Sequence, residues 1–411
     1  MTLDIRHART FFPALETPWA FFDNAGGSVP ARQVIDRVAA HMRTTGVQLG
    51  ASHDLSVAAS AGVQAGRQAT ARLFHADVDE MVLGPSATAL TGRVATALAA
   101  TWKAGDEVIV TNLDHEANIG AWRRLEERGI VLKEWCFRPE TMMLEMEDLD
   151  GLLTERTKLV AFTHCANVVG MIHDVPAITA KIRAAGALSY VDGVAYAPHR
   201  RVDVQALGAD FYVVSLYKVF GPHVGALFGR RDALLAGRNL NHFFVGEDEV
   251  PYKYEPGGVM HEAVAGLAGI SDYVDAIDVH HGGSASDPEA LRTERAFDLF
   301  ADAESALVAP LLNYLAEAPN VRLLGSASPE RGQRVPTVAF TVEGRHASEI
   351  PAALDQEQVA VRFGHFYAHR AIEALGLQEQ GGIVRASLLH YNEPEEVERL
   401  IVALDRVLTA S

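Results

Sequence analysis

Cysteine is nearly missing from this chain. Its 411 residues include two, Cys136 and Cys165, so no disulfide framework can hold it together and a reducing compartment suits it. Basic residues are also short: 36 Lys and Arg stand against 53 Asp and Glu, a formal net charge of -17. That sign argues against a nucleic acid or an anionic membrane as partner, while leaving room for a local basic pocket. No run of about 18 apolar residues occurs, so no helix is expected to span a membrane. The opening MTLDIRHARTFF holds no apolar core of signal-peptide length. A cytoplasmic protein is the expectation. HExxH, CxxC, GxxxxGK and GxGxxG patterns are all lacking, which removes the commonest zinc, redox, P-loop and dinucleotide signatures.

What is present is strand–helix alternation. Between about residues 105 and 230, the apolar runs EVIV, IVLKEWCF, KLVAFTH, LSYVDG, DFYVVS and GALFG read as buried strands. Helix-period segments such as NIGAWRRLEERG and VPAITAKIRAAG lie between the early ones. The alternation predicts an α/β fold with a mainly parallel sheet covered on both faces. Upstream, ARQVIDRVAAHM puts Val34, Ile35, Val38 and Met42 on one helical stripe, with Pro30 just ahead as a start signal. HHGGSASDP, 280–288, is the best boundary. Beyond it follow a helix, strands VRLLG and VPTVAFTV, a helix near 346–357, the strand VAVRFG, the strand GGIVRASLLH, and a last helix with Val397, Leu400, Ile401, Leu404 and Leu408 on one face. The chain thus divides into an N-terminal segment (1–20) packing on the small domain, a large domain (21–280) and a small α+β domain (281–411).

Chemistry-bearing residues follow the strands. In VVSLYKVFGPHVGALFG a strand ends at Ser215 and Lys218 follows. Ligands gather at the carboxyl ends of parallel strands, and a lysine among apolar residues has a lowered pKa and can act as an amine nucleophile. A solvated loop lysine reads the same way. One strand earlier Asp192 ends an apolar run, where a charge needs a reason. Asp and Lys on neighbouring strand ends suit pyridoxal phosphate, the Lys forming the Schiff base and the Asp keeping the pyridine nitrogen protonated; a helix cap or turn is the plainer alternative. His115 in TNLDHEANIGAW can lie on a cofactor ring and shuttle protons, or be structural. Ser86, Ala87 and Thr88 in LGPSATAL open a helix whose N-terminus favours phosphate, or are an ordinary cap. Asn167 follows a third strand, and Arg385 sits in a small-domain strand, suited to a bidentate grip on a carboxylate. Ser86, His115, Asn167, Asp192 and Lys218 all follow apolar runs, as a single cleft at one sheet edge requires.

With FFDNAGGSVP, DHEAN, THCANVVG, VDGVAY, SLYKVFGP, EPGG and VRASLLHYNEPEEVERL in order along nearly its whole length, the chain resembles the class V aminotransferase family of fold-type I pyridoxal-phosphate enzymes, and within it the cysteine desulfurase and selenocysteine lyase branch. The resemblance implies a large cofactor-binding domain with Lys218 as the Schiff-base lysine, Asp192 on the pyridine nitrogen and His115 stacked on the ring. It implies Ser86, Ala87, Thr88, Ser215 and Tyr217 about the phosphate, Val194 and Asn167 beside the cofactor, and Ala25, Gly26, Asn167, Arg362, His365 and Arg385 about the substrate. It also implies a homodimer with the active site at the interface, the Gly257-Gly258 loop reaching the partner's phosphate.

Several positions depart from that branch. Tyr217 stands where desulfurases usually carry a histidine before the lysine, Ala195 where they carry glutamine, and Gly258 where they carry threonine. VRFGHFYAHR aligns with the loop bearing the sulfur-accepting cysteine, and Tyr367 takes that position. A phenol cannot hold sulfur as a persulfide, and Cys165 reads as a buried thiol on a strand end. The expectation is a pyridoxal-phosphate enzyme on a small amino acid, a C–S β-elimination lyase without a persulfide cysteine, with Lys218, His115 and Tyr367 as catalytic residues. A class V aminotransferase or epimerase, and a non-catalytic cofactor-binding protein, are the alternatives. His365 and His369, four apart, suggest zinc on a helix face, but no further ligand lies at ligand spacing, and no metal is expected.

Overall fold

The computed structural model describes residues 2–409; Met1, Ala410 and Ser411, the outermost residues of the expected N-terminal and small-domain segments, lie outside the described residues. The strands are β1 (Ala20–Phe21), β2 (Met81–Gly84), β3 (Glu107–Thr111), β4 (Val131–Trp135), β5 (Thr157–Thr163), β6 (Leu188–Asp192), β7 (Phe211–Ser215), β8 (Gly225–Gly229), β9 (Val321–Leu324), β10 (Thr337–Val342), β11 (Val359–Ala360), β12 (Arg362–Gly364) and β13 (Ile383–Ser387).

A 7-stranded sheet runs in the order β2-β8-β7-β6-β5-β3-β4. Its interior strands are buried throughout except at Lys158 of β5 and Leu188 of β6, because both faces are covered. Alternate side chains divide between the two faces: Val108, Val110, Tyr190 and Val213 point to one apolar cluster, Ile109, Val191, Tyr212 and Val214 to the other, as a period of two dictates. Leu90, Val94 and Leu98 of helix Ala87–Ala99 cover the first face, Ile178 and Ile182 of helix Val175–Ala184 the second. The sheet is parallel from β7 to β4, which brings the ends of β3, β5, β6 and β7 to one edge. GALFG, β8, runs antiparallel to both its neighbours.

A 4-stranded antiparallel sheet, β12-β13-β10-β9, forms the C-terminal part. Helices Glu289–Glu317 and Pro394–Thr409 pack on it through Leu311, Leu315, Leu400 and Leu404. The N-terminal stretch leans there too: β1 pairs in parallel with β11, and Arg9 holds Glu396 at 2.7 Å. Helix His261–His280 ends at the glycine-rich stretch read as the boundary, and the next helix begins after Pro288.

Four local expectations need correction. VAVRFG is not one strand: β11 pairs with β1 and β12 with β13, so the run breaks at Val361 and changes sheets. NIGAWRRLEERG is not one helix but α and 3-10 turns over Gly120–Arg123 and Arg124–Arg128. The helix expected near 346–357 covers Glu349–Leu354, with a 3-10 turn after it. On helix Arg32–Thr44 the apolar stripe is only partly covered: Val34 is buried, whereas Ile35 is 41% and Met42 65% exposed. No described helix is long and apolar enough to cross a membrane.

Candidate active site

Two connected cavities open where the parallel strands end. The deeper, about 100 Å³, is lined by Ser86, Ala87, Thr88, Val194, Ser215 and Asp192, and the outer, about 300 Å³, by Ala25, Gly26, Arg362, His365, Tyr367 and Arg385. His115, Asn167, Tyr217 and Lys218 line both. The structure therefore brings together every sequence-predicted site residue except Gly258, which lies with Gly257 and Arg93 in a separate recess of this chain.

Lys218 ends a 3-10 turn directly after β7 and is buried. No hydrogen bond or ion pair holds its ammonium among the described residues. Burial first, then the Arg385 charge, pull its pKa down to about 8. Asp192, the last residue of β6, is buried and pushed up to about 6 by burial, against the bond from the Val194 amide (2.9 Å) and the Lys218 charge. His115 is held well below the usual imidazole range, at about 4, by burial and by the Lys218 and Arg385 charges. Its Nδ1 accepts the Ala117 amide at 3.0 Å, so the neutral ring carries its proton on Nε2.

Ser86 caps helix Ala87–Ala99, its Oγ accepting the Ala89 amide at 3.1 Å. Ser86, Ala87 and Thr88 line the deeper cavity, and the free amides of a helix's first turn favour an anion there. Gly225 of β8 permits this: a Cβ there would come 2.4 Å from the Ser86 carbonyl carbon.

At the outer rim Arg385 and Arg362 are direct partners across β13 and β12. Asp23 sits between them, 2.5 Å from Arg362 and 3.4 Å from Arg385. Arg385 also donates to the Asn167 carbonyl at 3.0 Å, and its Nε has no partner. Burial, and to a lesser degree Arg362, lower its pKa to about 10.

The loop after β12 closes the outer cavity. Asn167 Nδ2 donates to the Phe366 carbonyl (3.0 Å), the Glu116 amide to the Tyr367 carbonyl (2.8 Å), and the Tyr367 amide to His365 Nδ1 (3.1 Å). Phe366 and Tyr367 both lie in the left-handed region, at φ 50° and 59°, a conformation non-glycine residues adopt only when their surroundings hold them there. The Tyr367 ring is exposed, 5.1 Å from the His115 ring. His365 and His369 do not share a helix face, since the helix begins at His369, and no described group of three or more His, Cys, Asp or Glu could hold a metal.

Cys165 lines the deeper cavity, but burial pushes its thiol up to about 12. Cys136 is exposed after β4, beside Glu134.

Two contributors escaped the sequence reading. Asp23 was visible only as part of DNAGG, and Phe366 as an apolar loop residue. No spacing pattern marked either of them. They matter through contacts between distant segments.

The residues present fit pyridoxal 5'-phosphate. A buried, unpartnered lysine, a buried carboxylate at the adjacent strand end, the orphaned Asn167 Oδ1 and a helix N-terminus surround one cavity.

Comparison with known proteins agrees. The aminotransferase class-V family model matches residues 20–400. The aminotransferase-like protein FGM3 of Gibberella zeae is 37% identical over 417 residues, 99% of each chain. A cysteine desulfurase of Serratia proteamaculans is 31% identical over 429 residues, again 99% of each. The apo cysteine desulfurase of Thermococcus onnurineus superposes with a TM-score of 0.87 at 25% identity, over 100% of this chain and 99% of that one. The chain belongs to the class V aminotransferase family of pyridoxal-phosphate-dependent enzymes.

Proposed function

We propose that the protein catalyses β-elimination from a small, cysteine-like amino acid, releasing the sulfur-bearing group directly from the site. The observation that carries this reading is the outer cavity itself. It gathers Lys218, His115, Asn167, Arg385 and Tyr367, and neither thiol of the chain lines it; Tyr367 is read as standing where the family resemblance puts the sulfur acceptor.

Bound pyridoxal phosphate supplies an electron sink that acidifies the substrate's Cα proton. Asp192 would keep its ring nitrogen protonated, the first-turn amides after Ser86 would hold its phosphate, and His115 would lie against its ring. Arg385 binds the substrate carboxylate through the donors that Asn167 and Asp23 leave free. The Lys218 amine takes the Cα proton. As the Cβ–S bond breaks, the electron pair leaves with sulfur, and His115 Nε2–H or the Tyr367 hydroxyl returns a proton to it. Water converts the remaining three-carbon enamine to pyruvate and ammonia. The assembly is a homodimer in the cytoplasm. The bare Ile35, Met42, Phe243 and Phe244 give a second copy apolar surface to cover, and the Gly257-Gly258 loop reaches the partner's phosphate.

The test is pyruvate production by the purified holoenzyme from cysteine, cystine and cysteine S-oxides. Pyruvate from one of them is expected; none from any of them ends the lyase reading. Transamination is the second reading, favoured by the aminotransferase-like relative. Transfer of an amino group from an amino acid to a keto acid, without pyruvate from the sulfur substrates, selects it.

A further inference from the structure

The outer cavity does not end at its rim. Gly26, Tyr217 and Arg362 line it, and the same three residues line a larger groove beside it, of about 670 Å³. One wall of that groove is the apolar stripe of helix Arg32–Thr44: Val34, Ile35, Val38, Ala39 and Met42. Pro30 and Pro222 add apolar surface. The stripe that the sheet and its helices leave partly uncovered is therefore continuous with the cavity that holds Lys218 and Arg385.

The junction is built from main chain and one ring. A Cβ on Gly27 would come 3.2 Å from the Tyr217 ring, so the glycine packs directly on it. The same ring stacks on His223, 4.7 Å between centroids. Polar groups near the junction already have partners. Asp23, the one carboxylate among the described lining residues of the groove, pairs with Arg362 and Arg385. Ser28 Oγ donates to the Tyr217 carbonyl at 3.1 Å and accepts the Phe220 amide at 2.9 Å. An apolar wall with few free polar groups is the makeup of a small-molecule site, and it selects an uncharged, apolar group.

We propose that this groove is the side-chain subsite of the enzyme, and that the substrate is a cysteine whose sulfur carries an apolar substituent, such as a hexyl chain. The proposal rests on the lyase reading and names the substrate class of that site. With the carboxylate on Arg385 and the Cα beside Lys218, the amino-acid part fills the outer cavity. The substituent then runs past Gly26 and Tyr217 onto the helix stripe. When the Cβ–S bond breaks, its electron pair stays on sulfur, which takes a proton and leaves as a thiol. Water converts the enamine to pyruvate and ammonia. A second copy lying over the exposed Ile35 and Met42 side chains can cover the groove and still leave its interior to the substrate.

The experiment separates binding from elimination. Calorimetry titrates the holoenzyme with straight-chain α-amino acids that carry no sulfur, from α-aminobutyrate to α-aminooctanoate. Kd is expected to fall by about twofold to fourfold for each added methylene, as burial in a partly open apolar groove demands. Ala39→Phe, whose ring fills the groove, should flatten the series. Ile35→Ser, which strips the wall without blocking it, should weaken the long ligands, and serves if Ala39→Phe does not fold. A flat series in the wild type overturns the subsite, as does a steep series that neither variant changes; a flat series gives the groove to a second copy of the chain. Pyruvate from S-methylcysteine and S-hexylcysteine is measured separately. A steep binding series without pyruvate from either ends the lyase reading and upholds the subsite.

Discussion

The Phe366 ring lies on the Arg385 guanidinium, 3.8 Å from ring centroid to Cζ. Arg385 is buried, so one of its faces is taken by the ring and two of its edges by Asn167 and Asp23. Nε and the second hydrogen of each Nη are left for a ligand. Phe366 therefore fixes the plane of the guanidinium.

Removing the ring loosens that plane without touching the reacting atoms. A cation–π contact of this kind contributes about 1–2 kcal/mol when desolvated. Phe366→Ala should raise KM for the amino acid by roughly fivefold to thirtyfold, since about 1.4 kcal/mol is tenfold, while kcat changes little. A variant whose kcat collapses at constant KM would show instead that Phe366 serves the chemical step.

Lys218 sets a second expectation. Its folded-state pKa is depressed from the ordinary lysine value to about 8. The neutral amine, which is the nucleophile, is thus populated above pH 8 and lost below it. The rate at which apoenzyme takes up pyridoxal phosphate covalently should rise through a midpoint near pH 8. A midpoint in the usual range of exposed lysines would place Lys218 in a wetter site than this one.

Much of this was legible in the chain. Asp192, Ser215 and Lys218 sit on apolar runs whose continuous hydrophobicity signals a sheet covered on both faces, and strand-end logic then gathers them. What was hidden depends on register and on chain crossings. VAVRFG scores as one strand because its apolar content is continuous, yet the backbone turns at Val361 and joins two sheets. Asp23 is separated from Arg362 and Arg385 by more than three hundred residues, so no local pattern shows that it neutralises them. The stripe of Ile35 and Met42 looks like core from its spacing, because periodicity reports an apolar face and not what covers it.

Tyr367 gives a gain-of-function test. Its main-chain groups are held by Glu116 and His365, while its ring is 68% exposed, so the loop should tolerate a smaller side chain. In Tyr367→Cys, a thiolate at that position attacks the sulfur of substrate cysteine, the Cβ–S bond breaks, and alanine replaces pyruvate as product. Mass spectrometry should find one extra sulfur on the variant after cysteine is added, and none on the wild type. An unmodified variant that still produces pyruvate would mean the position does not match the sulfur-accepting loop.

Gly193 follows Asp192 and shows how tightly the strand end is built. An added Cβ would lie 2.1 Å from the Tyr212 ring and 2.2 Å from its hydroxyl. That hydroxyl bonds His164 Nδ1 at 2.8 Å, the His164 ring stacks on Tyr196 at 3.6 Å, and the His164 amide donates to the Asp192 carbonyl at 2.9 Å. Displacing Tyr212 therefore moves the group that holds Asp192 in place. Overpacking of this sort costs about 1–3 kcal/mol. Gly193→Ala should melt several degrees lower and lose cofactor on gel filtration, because Asp192 is displaced from its place in the deeper cavity. A variant that melts like the wild type and keeps its full cofactor complement would show that Tyr212 can yield without disturbing Asp192.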